Sequence, residues 1–271
     1  MASQEYVLGT DDAELARLGL QHQLWNAVTS RAWERAGFGP GQSLLDVGCG
    51  PGFASFDLSR LVGPHGRVVG IDRSERFLSH LQEQARARGI SNLSTQVSDV
   101  EAIKVKAGSF DGAYARWVLC FVRHPETVIA GVRRALKTGA PLVIHDYYNY
   151  EGVVIAPRRE IFGKIFAAVS KSWRMNGGNS DVGSILPELL VLNGFEIREI
   201  RPIVRVARPG SPLWAWPTSF FANYLTPLVQ MKLITARDKS RFETEWQKHS
   251  SNPAAFFSTP PLIEIIAVRK K

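Results

Sequence analysis

The chain has 271 residues, of which 45% are hydrophobic, and its formal net charge is +8. This length allows a sizeable core, the absence of any run of about 18 apolar residues excludes a membrane-spanning helix, and the first residues lack the basic-then-apolar pattern of a secretory signal. The cysteines, Cys49 and Cys120, exclude a disulfide framework, so we expect a reducing, cytoplasmic location.

The positive charge is scattered along the chain rather than concentrated in blocks. Short basic groups occur at Arg133-Arg134, Arg158-Arg159 and Arg269-Lys270-Lys271. A positive charge can attract an acidic substrate, a nucleic acid or an anionic membrane. Interleaved basic and aromatic residues, which an RNA-binding surface needs, are not obvious. We therefore expect a basic protein without a stable nucleic-acid partner.

The first predicted element is a helix that begins after Asp11 and reaches about Ala36. Asp11 is its expected N-cap, and Glu14 is the expected capping-box partner three residues later. Apolar residues follow at helical spacing, and the glycines from Gly37 to Gly41 end the helix.

Short apolar runs and amphipathic stretches then alternate. The predicted strands are Ser43–Val47, Arg67–Ile71, Leu93–Val97, Phe110–Ala115 and Pro141–His145, and the predicted helices are Ala54–Leu61, Arg76–Arg88 and Pro125–Leu136. Strands that alternate with helices predict an α/β fold with a doubly wound parallel sheet. Glycine and acidic residues fall at the carboxyl ends of these strands, where such sheets bind ligands.

The second half of the chain is predicted to add helices to this sheet. Residues 150–180 form an expected helical insertion, and residues 209–256 form an aromatic-rich helical segment. A helix is predicted over Ile185–Leu192, and two further strands are predicted over Glu196–Val206 and Leu262–Val268.

The turn after the first strand carries three glycines, Gly48, Gly50 and Gly52. Glycines between a strand and a helix let the backbone approach a ligand that side chains would block. A dinucleotide loop places its last glycine one residue later, where this chain has Phe53. The carboxylate of Asp46 suits the positive charges of S-adenosylmethionine better than a pyrophosphate. The loop therefore predicts S-adenosylmethionine as cofactor, with a nucleotide or a purely structural turn as alternatives.

Two acidic residues follow later strands of the predicted sheet. Asp72 ends the second strand, where a carboxylate can accept hydrogen bonds from both ribose hydroxyls. The alternative for Asp72 is an N-cap of the next helix, for which Ser74 is also available. Asp99 follows the third strand and could accept from the adenine amino group, with the backbone of Val100 against the ring; the alternative is an ordinary loop aspartate.

These motifs resemble those of class I S-adenosylmethionine-dependent methyltransferases. The similarity covers residues 40–150 strongly and rests on four segments in the usual order, which are Asp46–Gly52, Val69–Arg73, Ser98–Asp99 and Phe110–Arg116. The resemblance implies a Rossmann-like seven-stranded sheet whose last strand, Leu262–Val268, is antiparallel and lies beside the sixth. It also implies cofactor contacts from Arg73, and from Arg116 and Trp117 to the methionine part; a surface or helix-dipole arginine is the alternative for Arg116.

The N-terminal segment is also similar to a bacterial subgroup of small-molecule methyltransferases, in which this segment folds over the cofactor. The similarity rests on Tyr6-Val7-Leu8-Gly9, Glu14, Arg17-Leu18 and Gln21, and it implies that Tyr6 and Gln21 are lid contacts. An anchored terminus and a solvated glutamine are the alternatives. The expected organisation is an N-terminal helical lid (residues 1–40), a cofactor-binding core (residues 41–150) and the rest of the core with a helical substrate cap (residues 151–271).

Methyl transfer requires a positioned nucleophile and a general base only when that nucleophile is protonated. His145, at the end of the fifth strand, is the predicted general base, and a hydrogen-bonded histidine within the sheet is the alternative. Tyr147 and Trp173 are predicted to contact the substrate, although Trp173 could equally belong to the core of the cap. No metal site is expected, because the cysteines lack metal-ligand spacing and the acidic residues are assigned to the cofactor.

The sequence therefore predicts methyl transfer to an O, N or C atom of a small aromatic or lipophilic molecule, in a monomer or homodimer. An RNA or protein methyltransferase is one alternative, favoured only by the charge. A non-catalytic cofactor-binding protein and a nicotinamide oxidoreductase are the others. The fold alone does not identify the methyl acceptor.

Overall fold

A computed structural model describes residues 8–271 of the chain. The helices are α1 Asp12–Arg35, α2 Phe53–Val62, α3 Glu75–Ala87, α4 Pro125–Ala135, α5 Glu160–Met175, α6 Leu186–Leu192, α7 Ala215–Gln230 and α8 Ala236–Ser250. The strands are β1 Ser43–Val47, β2 Arg67–Asp72, β3 Leu93–Val97, β4 Gly112–Arg116, β5 Pro141–Tyr147, β6 Val154–Ala156, β7 Phe195–Ile203, β8 Val206–Ala207, β9 Phe256–Ser258 and β10 Leu262–Arg269.

Seven strands form one mixed sheet in the order β3-β2-β1-β4-β5-β10-β7. β10 is antiparallel to both of its neighbours, and Ile265 pairs with Ile144 of β5 and Ile200 of β7. The central strands are buried on both faces, which is why they read as continuous apolar runs. The sheet confirms the Rossmann-like fold, in which the last strand is antiparallel and lies beside β7, the sixth of the predicted strands.

A second, three-stranded sheet corrects the expectation that the insertions are helical. Its strand order is β6-β9-β8, and all of its pairs are antiparallel. The predicted helical insertion at residues 150–180 begins with a short 3-10 turn and β6 before α5 starts. The predicted strand Glu196–Val206 is divided into β7 and β8. The strands β6, β8 and β9 have two or three residues each, which is too short for alternation to be visible in the sequence.

α1 begins as predicted but without the expected capping box. The side chain of Asp11 accepts from the backbone N–H of Glu14 at 2.8 Å. The Glu14 carboxylate does not return this bond, because both of its oxygens accept from the Arg17 guanidinium at 2.6 Å. The buried ion pair takes the place of the reciprocal cap.

α1 packs against the start of α2, which follows the glycine loop. A Cβ on Gly19 would lie 3.1 Å from Cζ of Phe53, so the Phe53 ring occupies the notch that this glycine leaves in α1. His22 stacks on the same ring with 5.9 Å between centroids. Phe53 therefore has a packing role, and it is also the residue that distinguishes this loop from a dinucleotide-binding loop, which has glycine at this position.

The helices of the second half bury most of their aromatic residues. Phe221 of α7 lies between rings of α5 and α8, with centroids 5.9 Å from Phe166 and 4.7 Å from Phe242. Such contacts join α5, α7 and α8 into one apolar cluster that reaches the sheet. Across residues 8–271, none of the helices combines the length and hydropathy that a membrane crossing requires.

Candidate functional site

The three glycines of the loop after β1 all have positive φ, but they leave space for different reasons. A Cβ on Gly48 would lie 2.5 Å from Val118, and a Cβ on Gly52 would lie 2.0 Å from Leu81. A Cβ on Gly50 would meet nothing nearer than Phe77 at 4.0 Å. The predicted approach of a ligand to the backbone of these glycines remains a prediction. Gly48 and Gly52 are required by packing within the protein, and Gly50 is the position with open space above it.

Asp72 lies at the end of β2 and holds the glycine loop. Its Oδ2 accepts from the backbone N–H of Gly50, and its Oδ1 accepts from that of Ser74, both at 2.8 Å. Burial raises the pKa of Asp72, although these hydrogen bonds oppose the shift. Ser74, and not Asp72, caps α3 by accepting from Phe77. The adjacent Arg73 is exposed.

Asp46 is sealed beneath the loop. Its Oδ2 accepts from the Ser55 hydroxyl at 2.5 Å, and the residue is buried. Burial raises the pKa of this carboxyl to about 7, while the Ser55 hydrogen bond and the charge of Arg116 act in the opposite direction. Asp46 is thus a buried group that titrates close to neutral pH.

Asp99 and Val100 lie at the end of β3. The Asp99 side chain accepts from the backbone N–H of Glu101 at 2.9 Å and so caps the 3-10 turn Val100–Ala102. Asp99 is exposed, whereas Val100 is buried. The carboxylate therefore already performs the capping work of a loop aspartate, and its predicted adenine contact remains a prediction.

Arg116 ends β4 and contacts α1. Its guanidinium donates to Thr29 Oγ1 at 3.1 Å and lies 3.2 Å from Nδ1 of His22. The other ring nitrogen of His22 lies 2.9 Å from Asp57 Oδ2 in α2. Arg116 thus contacts α1 directly and is connected to α2 through His22.

Trp117 follows Arg116 in a left-handed backbone conformation. Its φ is 52°, which is uncommon for a bulky residue, and its backbone N–H donates to the His145 carbonyl at 2.9 Å. Its Nε1 is buried and has no hydrogen-bond partner within residues 8–271. Backbone strain of this kind is concentrated at functional sites.

Gln21 belongs to a buried polar group on α1. Its side-chain oxygen accepts from Arg17 at 2.9 Å and from the Trp216 indole at 2.8 Å. The predicted solvated alternative is therefore wrong, because Gln21 is buried between two donors. Tyr6, the other predicted lid contact, lies outside the described residues.

A cavity of about 530 Å³, open in part to solvent, lies beyond the carboxyl ends of β4 and β5. Rings form most of its wall, and the polar side chains of Arg17 and Gln21 stand among them. The lining residues are Leu8, Arg17, Gln21, Trp117, Phe121, Tyr147, Tyr150, Val153, Phe166, Trp173, Trp216, Pro217, Phe220, Phe221, Phe257 and Pro260.

The two predicted substrate residues both line this cavity. Tyr147 and Trp173 lie 5.5 Å apart between ring centroids, and Tyr150 contacts both of them. Tyr150, Phe121 and Phe257 also line the cavity and are not predicted from the sequence. Tyr150 lies only three residues after Tyr147, and the polar turn signal of Asn149 between them could have indicated a second ring returning to the same wall.

His145 does not line the cavity. It is buried within the sheet, and its Nε2 lies 2.9 Å from Oε2 of Glu264 on β10. The other Glu264 oxygen accepts from Arg35. Burial lowers the pKa of His145, against the opposing effect of Glu264. This placement favours the sheet histidine, because the ring is buried against Glu264 and does not belong to the residues that line the cavity. The role of general base remains a prediction.

Within residues 8–271, no group of three or more His, Cys, Asp or Glu side chains is arranged to hold a metal ion. Both cysteines are buried, and burial raises the pKa of each thiol well above its usual value. Neither thiol is a ready nucleophile or metal ligand.

Comparison with known proteins gives a consistent result. A family model described as a methyltransferase domain matches residues 39–188. A demethylmenaquinone methyltransferase from Lactococcus lactis is 35% identical over 162 residues, which cover 57% of this chain and 63% of that protein. A 2-phytyl-1,4-naphtoquinone methyltransferase from Synechocystis is 28% identical over 158 residues, which cover 57% and 65% of the two chains. This chain thus spans less than two thirds of either relative.

Among solved structures, a geranyl diphosphate C-methyltransferase from Streptomyces coelicolor has a similar fold. The TM-score is 0.57 at 16% identity, and the match covers 92% of this chain and 81% of that one. At this identity the likeness concerns the fold alone. It extends over the second half of the chain, beyond the segment that the family model matches.

Proposed function

The chain belongs to the methyltransferase domain family, and on that premise we propose that it transfers a methyl group from S-adenosylmethionine to a small apolar molecule held in the aromatic cavity. The acceptor atom is an O, N or C atom of this molecule. The two curated relatives support an apolar acceptor, since they are named for demethylmenaquinone and 2-phytyl-1,4-naphtoquinone.

One observation carries the proposal: the cavity and the glycine loop meet at two adjacent residues. Trp117 lines the cavity, and the next residue, Val118, contacts Gly48 of the loop. A molecule in the cavity would therefore lie beside whatever the loop binds. Proximity of this kind is the main contribution that a protein makes to a displacement reaction on an activated donor.

The residues around the loop fit the proposed cofactor. Gly50 leaves open space where a side chain would stand, and the Asp72 carboxylate lies directly beside it. In this proposal Asp72 holds the ribose, Val100 packs on the adenine ring, and Asp46 supplies negative charge beneath a cationic ligand. When bound, S-adenosylmethionine supplies a methyl group on a positively charged sulfur.

The protein's own residues would orient the acceptor and exclude water. Trp117, Tyr147, Trp173 and Trp216 line the cavity, and a wall of aromatic rings suits a planar apolar ring. Rings also tolerate a nearby cation, so the same wall is compatible with the charge of the donor. No side chain of the cavity is assigned as a general base, and an acceptor that is nucleophilic without one fits this site best.

The test has two parts. Isothermal titration should detect binding of S-adenosylhomocysteine and none of NAD, and tight binding of NAD alone would reject the cofactor assignment in favour of a nicotinamide oxidoreductase. A mass-spectrometric screen with an isotopically labelled methyl donor should then find a labelled apolar product. Labelled RNA or protein, with no labelled small molecule, would overturn the substrate class.

A further inference from the structure

Two tyrosine hydroxyls in the cavity have no hydrogen-bond partner within residues 8–271. Tyr147 is 7% exposed and Tyr150 is 5% exposed. Elsewhere, buried tyrosines are satisfied, since Tyr224 shares a hydrogen bond of 2.8 Å with Ser172 and Tyr114 donates to Thr29. A buried hydroxyl without a partner is costly, so two in one cavity wall require an explanation.

Both hydroxyls keep access to the cavity. Some side-chain nitrogens within residues 8–271 have neither solvent contact nor a hydrogen-bond partner, among them indole nitrogens and a histidine nitrogen. Neither tyrosine oxygen belongs to this group, so each remains in contact with open space. Both residues line the cavity, and we infer that their hydroxyls face the space in which the proposed substrate lies.

The two rings are held in fixed orientations. They meet edge to face at an interplanar angle of 87°, with centroids 5.2 Å apart. Each also packs against Trp173, at 5.5 Å from Tyr147 and 4.8 Å from Tyr150. Asn149, with φ of 57°, turns the backbone between them so that Tyr150 returns to the wall that Tyr147 begins. The hydroxyls are therefore preorganised for a ligand.

The electrostatics of the wall favour an uncharged ligand group. Burial raises the pKa of both phenols well above its usual value, so they are neutral donors at ordinary pH. Arg17, the cation among the described residues that line the cavity, is paired with the buried Glu14 carboxylate and donates to Gln21. Its charge is already balanced, and a carboxylate or phosphate entering the cavity would lose its hydration without gaining a matching cation.

We propose that Tyr147 and Tyr150 together bind a carbonyl or hydroxyl oxygen on the apolar ring of the methyl acceptor, and that the cavity rejects acceptors bearing a carboxylate or phosphate. This inference rests on the proposed function. It assigns Tyr150 as a second specificity-determining residue and gives both tyrosines the same task, which is to orient the ring through an oxygen substituent.

The test uses three probes of similar shape, which are 2-naphthol, naphthalene and 2-naphthoate. Equilibrium dialysis against the protein saturated with S-adenosylhomocysteine gives their affinities. We expect 2-naphthol to bind about fivefold more tightly than naphthalene, which corresponds to one net hydrogen bond of about 1 kcal/mol, and 2-naphthoate to bind least. In the double variant Tyr147→Phe/Tyr150→Phe the rings remain but the hydroxyls are absent. This variant should bind 2-naphthol and naphthalene with about equal affinity.

Tyr224→Phe is the matched control, because its hydroxyl is bonded to Ser172 and the residue does not line the cavity. This variant should keep the naphthol preference. The inference is overturned if the double variant keeps the preference, if 2-naphthoate binds best, or if the wild type binds none of the probes at millimolar concentration. Titration with S-adenosylhomocysteine separates the two proposals: a protein that does not bind it contradicts the proposed function, whereas normal binding with unaltered naphthol preference contradicts this inference alone.

Discussion

Val118 occupies the space that a side chain at Gly48 would need, since a Cβ on Gly48 would lie 2.5 Å from its Cγ2. The glycine loop is thereby held against the loop that follows β4, and Trp117 in that second loop reaches the cavity. We expect a change in either loop to affect the other through this contact, because packed interiors have little room to yield.

The first prediction compares Gly48→Ala with Gly50→Ala. Both residues have positive φ, so each substitution should cost about 1–2 kcal/mol of stability for an unfavourable backbone conformation. Gly48→Ala must also displace Val118, whereas Gly50→Ala meets open space. Urea unfolding should therefore show the larger loss for Gly48→Ala, and calorimetry should show that Gly50→Ala loses affinity for S-adenosylhomocysteine while remaining folded. Equal stability losses would show that Val118 yields without cost.

These glycines also show how far the sequence could be interpreted. The positions of the loop and of the acidic residues can be predicted from the sequence, because the parallel strands of a doubly wound sheet end at one edge. The partner of each glycine does not follow from the chain. Val118 and Leu81 lie 70 and 29 residues away from Gly48 and Gly52, and their contacts appear only when the sheet and α3 are assembled.

The surroundings of His145 cannot be predicted from the sequence. Its place at the end of a strand predicts a position near the cleft, yet the neighbouring strand β10 supplies Glu264, 119 residues later, as the partner of the ring. Alternation along β5 cannot reveal that partner, since β5 is buried on both faces. Likewise the short strands β6, β8 and β9 cannot be predicted one at a time, because their extended conformation depends on pairing with one another.

The second prediction concerns the pH dependence of cofactor binding. Burial raises the pKa of Asp46 to about 7, so this carboxyl is largely protonated below that pH and ionised above it. A cationic ligand favours the ionised form, and the affinity for S-adenosylmethionine should therefore rise as the pH increases from 6 to 8. In Asp46→Asn the same titration should be nearly flat. A wild-type affinity that is constant over this range would remove Asp46 from the cofactor site.

The third prediction separates the two tasks of Asp72. Asp72→Ala removes the acceptor for Gly50 and Ser74 and should weaken S-adenosylhomocysteine binding at least tenfold, since hydrogen bonds to a charged group contribute about 1.5–3 kcal/mol. Asp72→Asn keeps one side-chain oxygen as an acceptor and should be intermediate. Asp99→Ala removes an exposed cap and serves as a comparison. It should lower the free energy of unfolding less than Asp72→Ala does. Unchanged affinity in Asp72→Ala would contradict the ribose assignment.

The fourth prediction tests whether His145 stabilises the sheet or takes part in the reaction. Glu264→Ala leaves the buried His145 ring without its hydrogen-bond partner and leaves Arg35 with Glu199 alone, and a buried polar group without a partner typically costs about 1–3 kcal/mol. Burial raises the pKa of Glu264, but the hydrogen bonds and charges of His145 and Arg35 outweigh this effect and lower it.

The stability that Glu264 contributes is therefore present above the pKa of an unfolded glutamate and is lost as the pH falls through the lower folded value. Thermal unfolding should show that Glu264→Ala flattens this acid dependence. Methyl transfer by the folded fraction, assayed with an acceptor from the labelled-donor screen, should remain within about threefold of wild type. A large loss of kcat in a fully folded His145→Gln protein would instead restore His145 as a catalytic residue.

The fifth prediction compares two helical glycines with different surroundings. Gly163 of α5 has nothing within 4 Å of its Cβ position, so Gly163→Ala should stabilise the protein by about 1 kcal/mol through helix propensity alone. Gly19→Ala gains the same propensity in α1, but its methyl group would meet the Phe53 ring at 3.1 Å. Chemical unfolding should therefore give a smaller gain, or a loss, for Gly19→Ala. Because α1 covers the helix that follows the glycine loop, only the change at Gly19 should also reduce affinity for S-adenosylhomocysteine. Equal gains in stability with unaltered affinity for both variants would mean that α1 is not held in place by the contact between Gly19 and Phe53.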